Sequence, residues 1–405
     1  MVSCSIRACS SKIKLERIYF VDFSWSNEEE KFRDTVKKFL KENWDPSKSD
    51  LLEGADDNSF EDMRKFRHKL AEQGWLIMSW PQEYGGKNAS YMQQMIFKEE
   101  SASYGAPTAG GAEDILAPAL MVHGTEEQKN NHLPPIAKAE VLWAQGYSEP
   151  GAGSDLASLT TRASKEGDFF IINGQKIWSS NAHRSDWMHV LVRTDPDAPK
   201  HRGISYIMLD LNTPGINVRA IEQMHARGGF NEVFFEDVKV PVTNLIGEEN
   251  RGWYIAMTAL DFERSGVHLV IGVKRKIDEI LQYINEEKPE QKLSLVNKIT
   301  DSIIELEIAR LLSYRITSMQ SKGLVPNYES SLAKTFGTEL IQKHARRVIN
   351  LLGLYGGLAK HSKHAPMNGI FCHEYVAMVG QTIQGGTSEI QRNIMATRGL
   401  GLPRS

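Results

Sequence analysis

The apolar residues of this chain change their spacing twice, and that double change constrains its fold more than any other feature. From Trp25 to about Ala139 they recur at helical intervals. Phe32, Val36, Phe39 and Leu40 follow a helix start at Ser26 or Asn27, with Glu28, Glu29 and Glu30 where the macrodipole favours acids. Further helices are expected over 62–73, 92–103 and 113–123, broken at Pro81-Gln82-Glu83-Tyr84-Gly85-Gly86. Between Leu142 and Gly247 the period falls to two. Phe169-Phe170-Ile171-Ile172 and Gln175-Lys176-Ile177-Trp178 flank Asn173-Gly174, a pair that readily takes the positive φ values of a two-residue turn, so this segment reads as a hairpin. Met188–Arg193, Ile204–Leu211 and Glu232–Val240 are further strand candidates, and short strands separated by turns suggest a small barrel or sandwich. After Gly252 the helical period returns over 253–285, 293–321, 328–352 and 379–397, long helices with short connections, as in an antiparallel bundle. The expected fold is mainly α with a central β-domain. Its expected parts are an N-terminal extension (1–22), an N-terminal helical domain (23–139), the β-domain (140–247) and a C-terminal helical bundle (248–405).

With 405 residues the chain has ample room for a buried core. Lys and Arg number 48 against 51 Asp and Glu, a net charge of −3 without a block of one sign, so no electrostatic footprint for nucleic acid or an anionic membrane is present. Cys4, Cys9 and Cys372 make no disulfide framework and no CxxC pair, which points to a reducing compartment. No apolar run approaches the ~20 residues needed to span a bilayer. The first residues carry Arg7, Lys12, Lys14 and several serines without an acid. They are open to two readings, an organelle transit peptide or a disordered terminus, so the expected location is cytoplasmic, or the mitochondrial matrix in a eukaryote.

Three segments carry candidate chemistry. Tyr147-Ser148-Glu149-Pro150-Gly151-Ala152-Gly153-Ser154-Asp155 combines glycines that let a ligand approach the backbone with two hydroxyls and a ring; standing alone, it would read sooner as a Gly-rich linker with solvated serines. Leu156 occupies the place of the third glycine of a dinucleotide fingerprint, so that motif is excluded. The predicted hairpin then delivers Trp178, Ser179 and Ser180. Near the C-terminus, Gly385-Gly386-Thr387-Ser388-Glu389-Ile390-Gln391-Arg392 forms a glycine turn opening a helix. His361 and His364 lack a third ligand at metal spacing, no metal is expected, and Cys372 reads as an inert helix cysteine.

In this order the segments resemble the acyl-CoA dehydrogenase family of flavoproteins. The resemblance runs from about Phe23 to Pro403 and includes Pro-Gln-Glu-Tyr-Gly-Gly at 81–86, Gly-Thr-Glu-Glu-Gln-Lys at 124–129, Asn-Gly-Gln-Lys-Ile-Trp at 173–178 and Asp-Val-Lys-Val-Pro at 237–241. It implies an N-terminal helical domain, a central β-domain and a C-terminal four-helix bundle. It implies FAD as cofactor, with Tyr147, Ser148, Trp178 and Ser180 around the isoalloxazine and Thr387 and Glu389 as C-terminal contacts. Ser154, Asp261 and Arg264 match positions that contact CoA, and Asn350 and Gly353 a segment that reaches the flavin of a neighbouring subunit. The implied assembly is a homotetramer, built as a dimer of dimers, or a heterotetramer with a paralogue. The implied reaction converts an acyl-CoA to the trans-2-enoyl-CoA, with electrons passed to electron-transfer flavoprotein.

That reaction needs a carboxylate to take the α proton. Many members place a glutamate immediately before the Gly-Thr of the C-terminal box; here that residue is Gly385, whose N–H is left as an implied oxyanion donor. Ala256, Leu260, Glu263, Val267 and Val270 step along one helix face, so Glu263 projects from an apolar stripe where burial raises a carboxylate pKa toward that of a useful base. A subset resembling isovaleryl-CoA and long-chain enzymes carries its base there, in a string matched by Asp261-Phe262-Glu263-Arg264, and Glu263 is the expected base. Pairing with a bundle arginine is the alternative reading of Glu263. An Arg-x-x-Phe-Gly string that reaches the neighbouring FAD diphosphate is replaced by a shorter Asn285–Lys292 stretch, and Cys372-His373-Glu374-Tyr375 stands where an arginine and aspartate are usual. A flavin-poor supporting subunit, or a flavin oxidase or monooxygenase, are therefore the alternative functions.

Overall fold

Helix α1 (Asn27–Asn43) begins at Ser26, whose hydroxyl accepts from the Glu29 N–H while the Glu29 carboxylate accepts from the Ser26 N–H. Ser90 and Gln93 repeat this exchange at the start of α3 (Tyr91–Ser103). The computed structural model describes residues 25–51, 57–107, 111–225, 227–260, 267–360 and 362–403. Helix α2 (Asp57–Glu72) matches the pattern, whereas the helix expected over 113–123 opens as a π turn, Ala112–Leu116, before α4 (Ala117–His123). Helix α5 (Glu126–Ala137) is absent from the sequence reading because Pro134 and Pro135 lie inside it; its signal was the Thr125–Gln128 capping box.

Among the described residues seven strands form one sheet in the order β1-β4-β2-β3-β7-β6, with β5 on β4. They are β1 (Trp143–Gly146), β2 (Arg162–Glu166), β3 (Phe169–Lys176), β4 (Trp187–Arg193), β5 (Ile204–Asp210), β6 (Ile216–Glu222) and β7 (Arg227–Pro241). Phe170, Ile172, Val190, Ile207, Val233 and Val238 fill the space the sheet encloses.

Asn173-Gly174 is not a turn. Strand β3 runs straight through it, and the tight connection is Gly167-Asp168, between the paired ends Glu166 and Phe169. Asn173 instead bonds Asp237 across to β7, and the pairing shifts register between Ile172 and Gly174. Gly174 sits at φ 145°. A Cβ there would stand 2.7 Å from Thr161 Cα, so the glycine permits a close approach of two backbones.

In the bundle, α6 (Gly252–Leu260) and α7 (Val267–Glu287) cover the expected 253–285 helix on either side of residues 261–266, which lie outside the described residues. Helices α8 (Lys292–Ser321) and α9 (Tyr328–Leu352) agree with expectation and pack on α7 through Val270, Val273, Ile277, Leu306 and Leu340. The helix expected over 379–397 is broken. After α10 (Ile370–Ala377) and a short turn, Gly385 and Gly386 take φ 63° and 85°, and α11 (Ser388–Ile394) starts anew from Thr387. Arg33 of α1 pairs with Glu99 at 3.1 Å and Glu100 at 2.6 Å on α3, and the Tyr314 hydroxyl of α8 donates to Glu99 at 2.9 Å, pinning the N-terminal helices to the bundle. Among the described residues no helix is long and apolar enough to cross a membrane.

Gly174→Ala drives a methyl into Thr161. We expect a loss of about 1–3 kcal/mol of stability, the usual cost of overpacking, read as a lowered thermal midpoint; an unchanged midpoint would contradict the close approach.

Candidate active site

The Tyr147–Asp155 box leaves the end of β1 and folds back on itself, with Glu149 and Ala152 exchanging both backbone hydrogen bonds at 3.0 Å. Inside that fold Glu149 is buried and its carboxylate is fully used. It accepts from the Thr160 N–H at 2.6 Å and the Thr160 hydroxyl at 2.8 Å on one oxygen. The other takes the Thr161 N–H and Lys176 Nζ, each at 2.8 Å. Lys176, wholly buried at the end of β3, also donates to the Tyr147 carbonyl at 3.1 Å. Burial acts to raise the Glu149 carboxyl, but the Lys176 ammonium and the surrounding donors outweigh it and hold the group at about 2. Burial in turn brings Lys176 down to about 8, so both groups are charged near neutrality.

One residue beyond Lys176, the Ile177 N–H donates to the Ser148 carbonyl at 2.9 Å, which brings the box against the strand that leads to Trp178. Trp178 has φ 61°, a left-handed backbone that costs a bulky residue energy, yet its indole is 53% exposed and edge-on to Phe230. Ser180 is exposed, while Ser179 is buried and its backbone is bonded on both sides to Asn231. Beneath the box, the Tyr147 hydroxyl donates to the Tyr206 hydroxyl at 3.1 Å, and Tyr206 meets His189 Nδ1 at 2.7 Å. Burial raises Tyr147 to about 12 and lowers His189 to about 3, so this chain is neutral at physiological pH.

The C-terminal box is held by α9. Lys334 Nζ donates to the Gly386 carbonyl at 2.7 Å and to Gln381 at 3.3 Å, Gln391 Nε2 donates to the Gly385 carbonyl at 3.0 Å, and the Thr387 hydroxyl caps α11 through the Ile390 N–H. Glu389 is exposed; its own N–H and the Thr387 hydroxyl, with Arg392 and Lys334 nearby, hold its carboxyl below the usual range. Asn350 and Gly353 are exposed at the end of α9, and Ser154 is exposed beside the Asp155–Lys200 pair. Asp261, Glu263 and Arg264 lie outside the described residues. The structure thus joins Tyr147, Ser148 and Trp178; among the described residues no hydrogen bond joins them to the C-terminal box.

Family models for the N-terminal, middle and C-terminal domains of acyl-CoA dehydrogenases match residues 26–140, 144–238 and 250–400. The chain belongs to the acyl-CoA dehydrogenase family. It is an oxidoreductase. It is 34% identical to acyl-CoA dehydrogenase IpdE1 of Mycobacterium tuberculosis, over 87% of this chain and 91% of that protein. It is 35% identical to acyl-CoA dehydrogenase FadE26 of the same organism, over 83% and 87%. Among solved structures, a steroid acyl-CoA dehydrogenase, Tcur3481-Tcur3483, superimposes with a TM-score of 0.86 at 31% identity, covering 95% of this chain and all (100%) of that one. The ChsE4-ChsE5 complex of Mycobacterium tuberculosis does so with 0.82 at 33%, covering 95% and 100%.

Within this acyl-CoA dehydrogenase the sequence reading missed Lys176, Tyr206, His189 and Lys334. Lys176 was visible inside Asn-Gly-Gln-Lys-Ile-Trp, where a cation just before the apolar Ile177-Trp178 pair at a strand end asks for a buried partner, and Glu149 of the box supplies it. Tyr206 and His189 lie in plain strand sequence and carried no signal. Cys372 is half-buried with its thiol directed to the Gly357 carbonyl at 3.5 Å, and no group of three metal-ligating side chains occurs among the described residues. The connection after α7 is a single turn, Pro289–Gln291, before α8 begins at Lys292.

The Glu149 carboxyl ionises at 4.5 when free of these contacts and at about 2 in the fold. Because the folded value is depressed, its stabilisation is present above 4.5 and is lost as pH falls from 4.5 toward 2. Glu149→Gln should flatten the pH dependence of the thermal midpoint in that window; an unaltered profile would show the pair is not its source. Lys176→Met strands a buried carboxylate and is expected to cost about 3–5 kcal/mol, measured by denaturant unfolding.

Proposed function

We propose that this chain is an FAD-dependent acyl-CoA dehydrogenase that converts an acyl-CoA thioester to its α,β-unsaturated product and passes the electrons to electron-transfer flavoprotein. The observation that carries this reading is Trp178: a left-handed backbone carries an exposed indole one residue past the Ile177 N–H bond to the Ser148 carbonyl, a flat apolar face that suits an isoalloxazine ring. FAD, when bound there, supplies the two-electron acceptor. Tyr147, Ser148, Trp178 and Ser180 hold and orient the ring, with Thr387 and Glu389 as further contacts. Glu263 takes the α proton. The Gly385 N–H donates to the thioester oxygen as charge develops there. Ser154, Asp261 and Arg264 hold the CoA moiety.

Asn350 and Gly353 approach the flavin of a neighbouring subunit. Leu354 and Tyr355, exposed at 96% and 59%, support a subunit contact at that corner. The assembly is a tetramer, and the likeness to the ChsE4-ChsE5 complex and to Tcur3481-Tcur3483 supports one shared with a paralogous chain. The same likeness supports a bulky, ring-bearing acyl group of steroid type as substrate.

Anaerobic titration of the yellow protein with straight, branched and steroid side-chain acyl-CoA thioesters should bleach the flavin band with the ring-bearing class. A flavin-loaded protein that no thioester bleaches would overturn the reading in favour of an oxidase or monooxygenase. A protein that is colourless both alone and with a paralogue would favour a supporting subunit. Glu263→Gln should lose roughly 10²–10⁴-fold in turnover with FAD content unchanged, and full activity would remove Glu263 as the base. Trp178→Gly relieves the left-handed backbone and should stabilise the fold by about 1 kcal/mol while weakening FAD retention, a pair of opposite shifts read by thermal melting and flavin absorbance.

A further inference from the structure

The Gly385-Gly386-Thr387 turn is held from behind by two side chains. Gln391 Nε2 takes the Gly385 carbonyl at 3.0 Å and Lys334 Nζ takes the Gly386 carbonyl at 2.7 Å. The amide N–H groups of Gly385, Gly386 and Thr387 find no acceptor among the described residues. Two successive carbonyls are thus engaged by the protein, while the three amides between and beside them are left free to donate. The fit at Gly386 is close: its φ is 85°, and a Cβ there would stand 2.6 Å from Gln391 Nε2. Lys334 is half-buried and bonds only to carbonyl oxygens, Gly386 and Gln381, with no carboxylate within ion-pair distance among the described residues. Its hydrogen bonds are therefore spent on backbone dipoles, while Glu339 and Glu389 act on its charge only from beyond contact distance.

We propose that Lys334 and Gln391 are positioning residues of the reaction, which brace this glycine turn by its carbonyls so that its amide N–H groups face the thioester oxygen. The inference rests on the dehydrogenase reading above. The turn has two left-handed glycines and no regular hydrogen bond of its own, so its orientation depends on those two donors. A charge-assisted bond to a carbonyl also polarises the peptide it belongs to, which strengthens donation by the Thr387 N–H on the same peptide. Neither residue touches substrate; each acts through the turn.

The test uses the flavin-loaded protein with Lys334→Met, Lys334→Arg and Gln391→Leu, turned over on whichever thioester bleaches the wild type. Binding is read with para-dimethylaminocinnamoyl-CoA, a chromophore whose band moves to the red as its carbonyl is polarised. Lys334→Met should lower kcat by about 10- to 100-fold, the scale of a small misplacement of a reacting group, with KM and FAD content little changed. The red shift of the bound probe should shrink with it. Lys334→Arg should recover most of both. If Lys334→Met does not fold, Gln391→Leu decides, and it should reduce kcat and red shift together. Unchanged kcat and red shift in Lys334→Met, or in Gln391→Leu where that variant decides, would overturn the proposal. So would losses that track only with flavin content or melting temperature. A wild type inert to every thioester would instead overturn the dehydrogenase reading, and this proposal with it.

Discussion

The buried pair of Glu149 and Lys176 is the contact on which the rest of the site depends. Taking both charges out of water costs several kcal/mol, and an apolar pair of the same volume would often be no less stable. What the ion pair adds is registration. One carboxylate reaches the amides of two successive threonines, one ammonium reaches a carbonyl of the box, and the three segments they join cannot slide past one another without stranding a charge. Trp178 lies two residues past the lysine, so the strained indole is placed by the end of a strand whose position is already fixed.

The same device recurs at the other end of the chain. Lys176 donates to the Tyr147 carbonyl and Lys334 to the Gly386 carbonyl, in each case a lysine from a regular element taking hold of the backbone of a glycine-bearing loop. The two differ in compensation. Lys176 has a carboxylate at 2.8 Å, whereas Lys334 has only carbonyl oxygens. A loop anchored in this way keeps its conformational freedom in sequence terms but loses it in the folded state, which is what a site presenting backbone amides requires.

Much of this was legible in the sequence, and the limits have physical causes. The helical, then β, then helical order follows from side-chain period, which burial enforces over long stretches. The α8 and α9 helices were plain because their apolar steps continue for many turns. Asn173-Gly174 misled because a local pair says what a backbone can do, not what it does: the glycine serves contact with Thr161, which is remote from any turn signal. The glycine turn at Gly385-Gly386 was legible from its residues, but the apolar spacing that continues across it suggested one helix over 379–397 where the turn in fact divides it. The family boxes made Tyr147, Ser148, Trp178 and Thr387 visible. Tyr206, His189 and Lys334 were not, since a partner is chosen by tertiary approach and leaves no trace in spacing.

The contact among α1, α3 and α8 carries a consequence for how the chain is made. Arg33, Glu99 and Glu100 are all made early in synthesis, but the Tyr314 hydroxyl that completes Glu99 stands 215 residues further on. The ribosome therefore releases two carboxylates, an arginine and their apolar surroundings long before the last partner exists, and the intervening β-domain emerges while that face is still open. The N-terminal helices reach their final packing only when the bundle arrives to close over them, so the growing chain carries an unfinished surface for most of its translation.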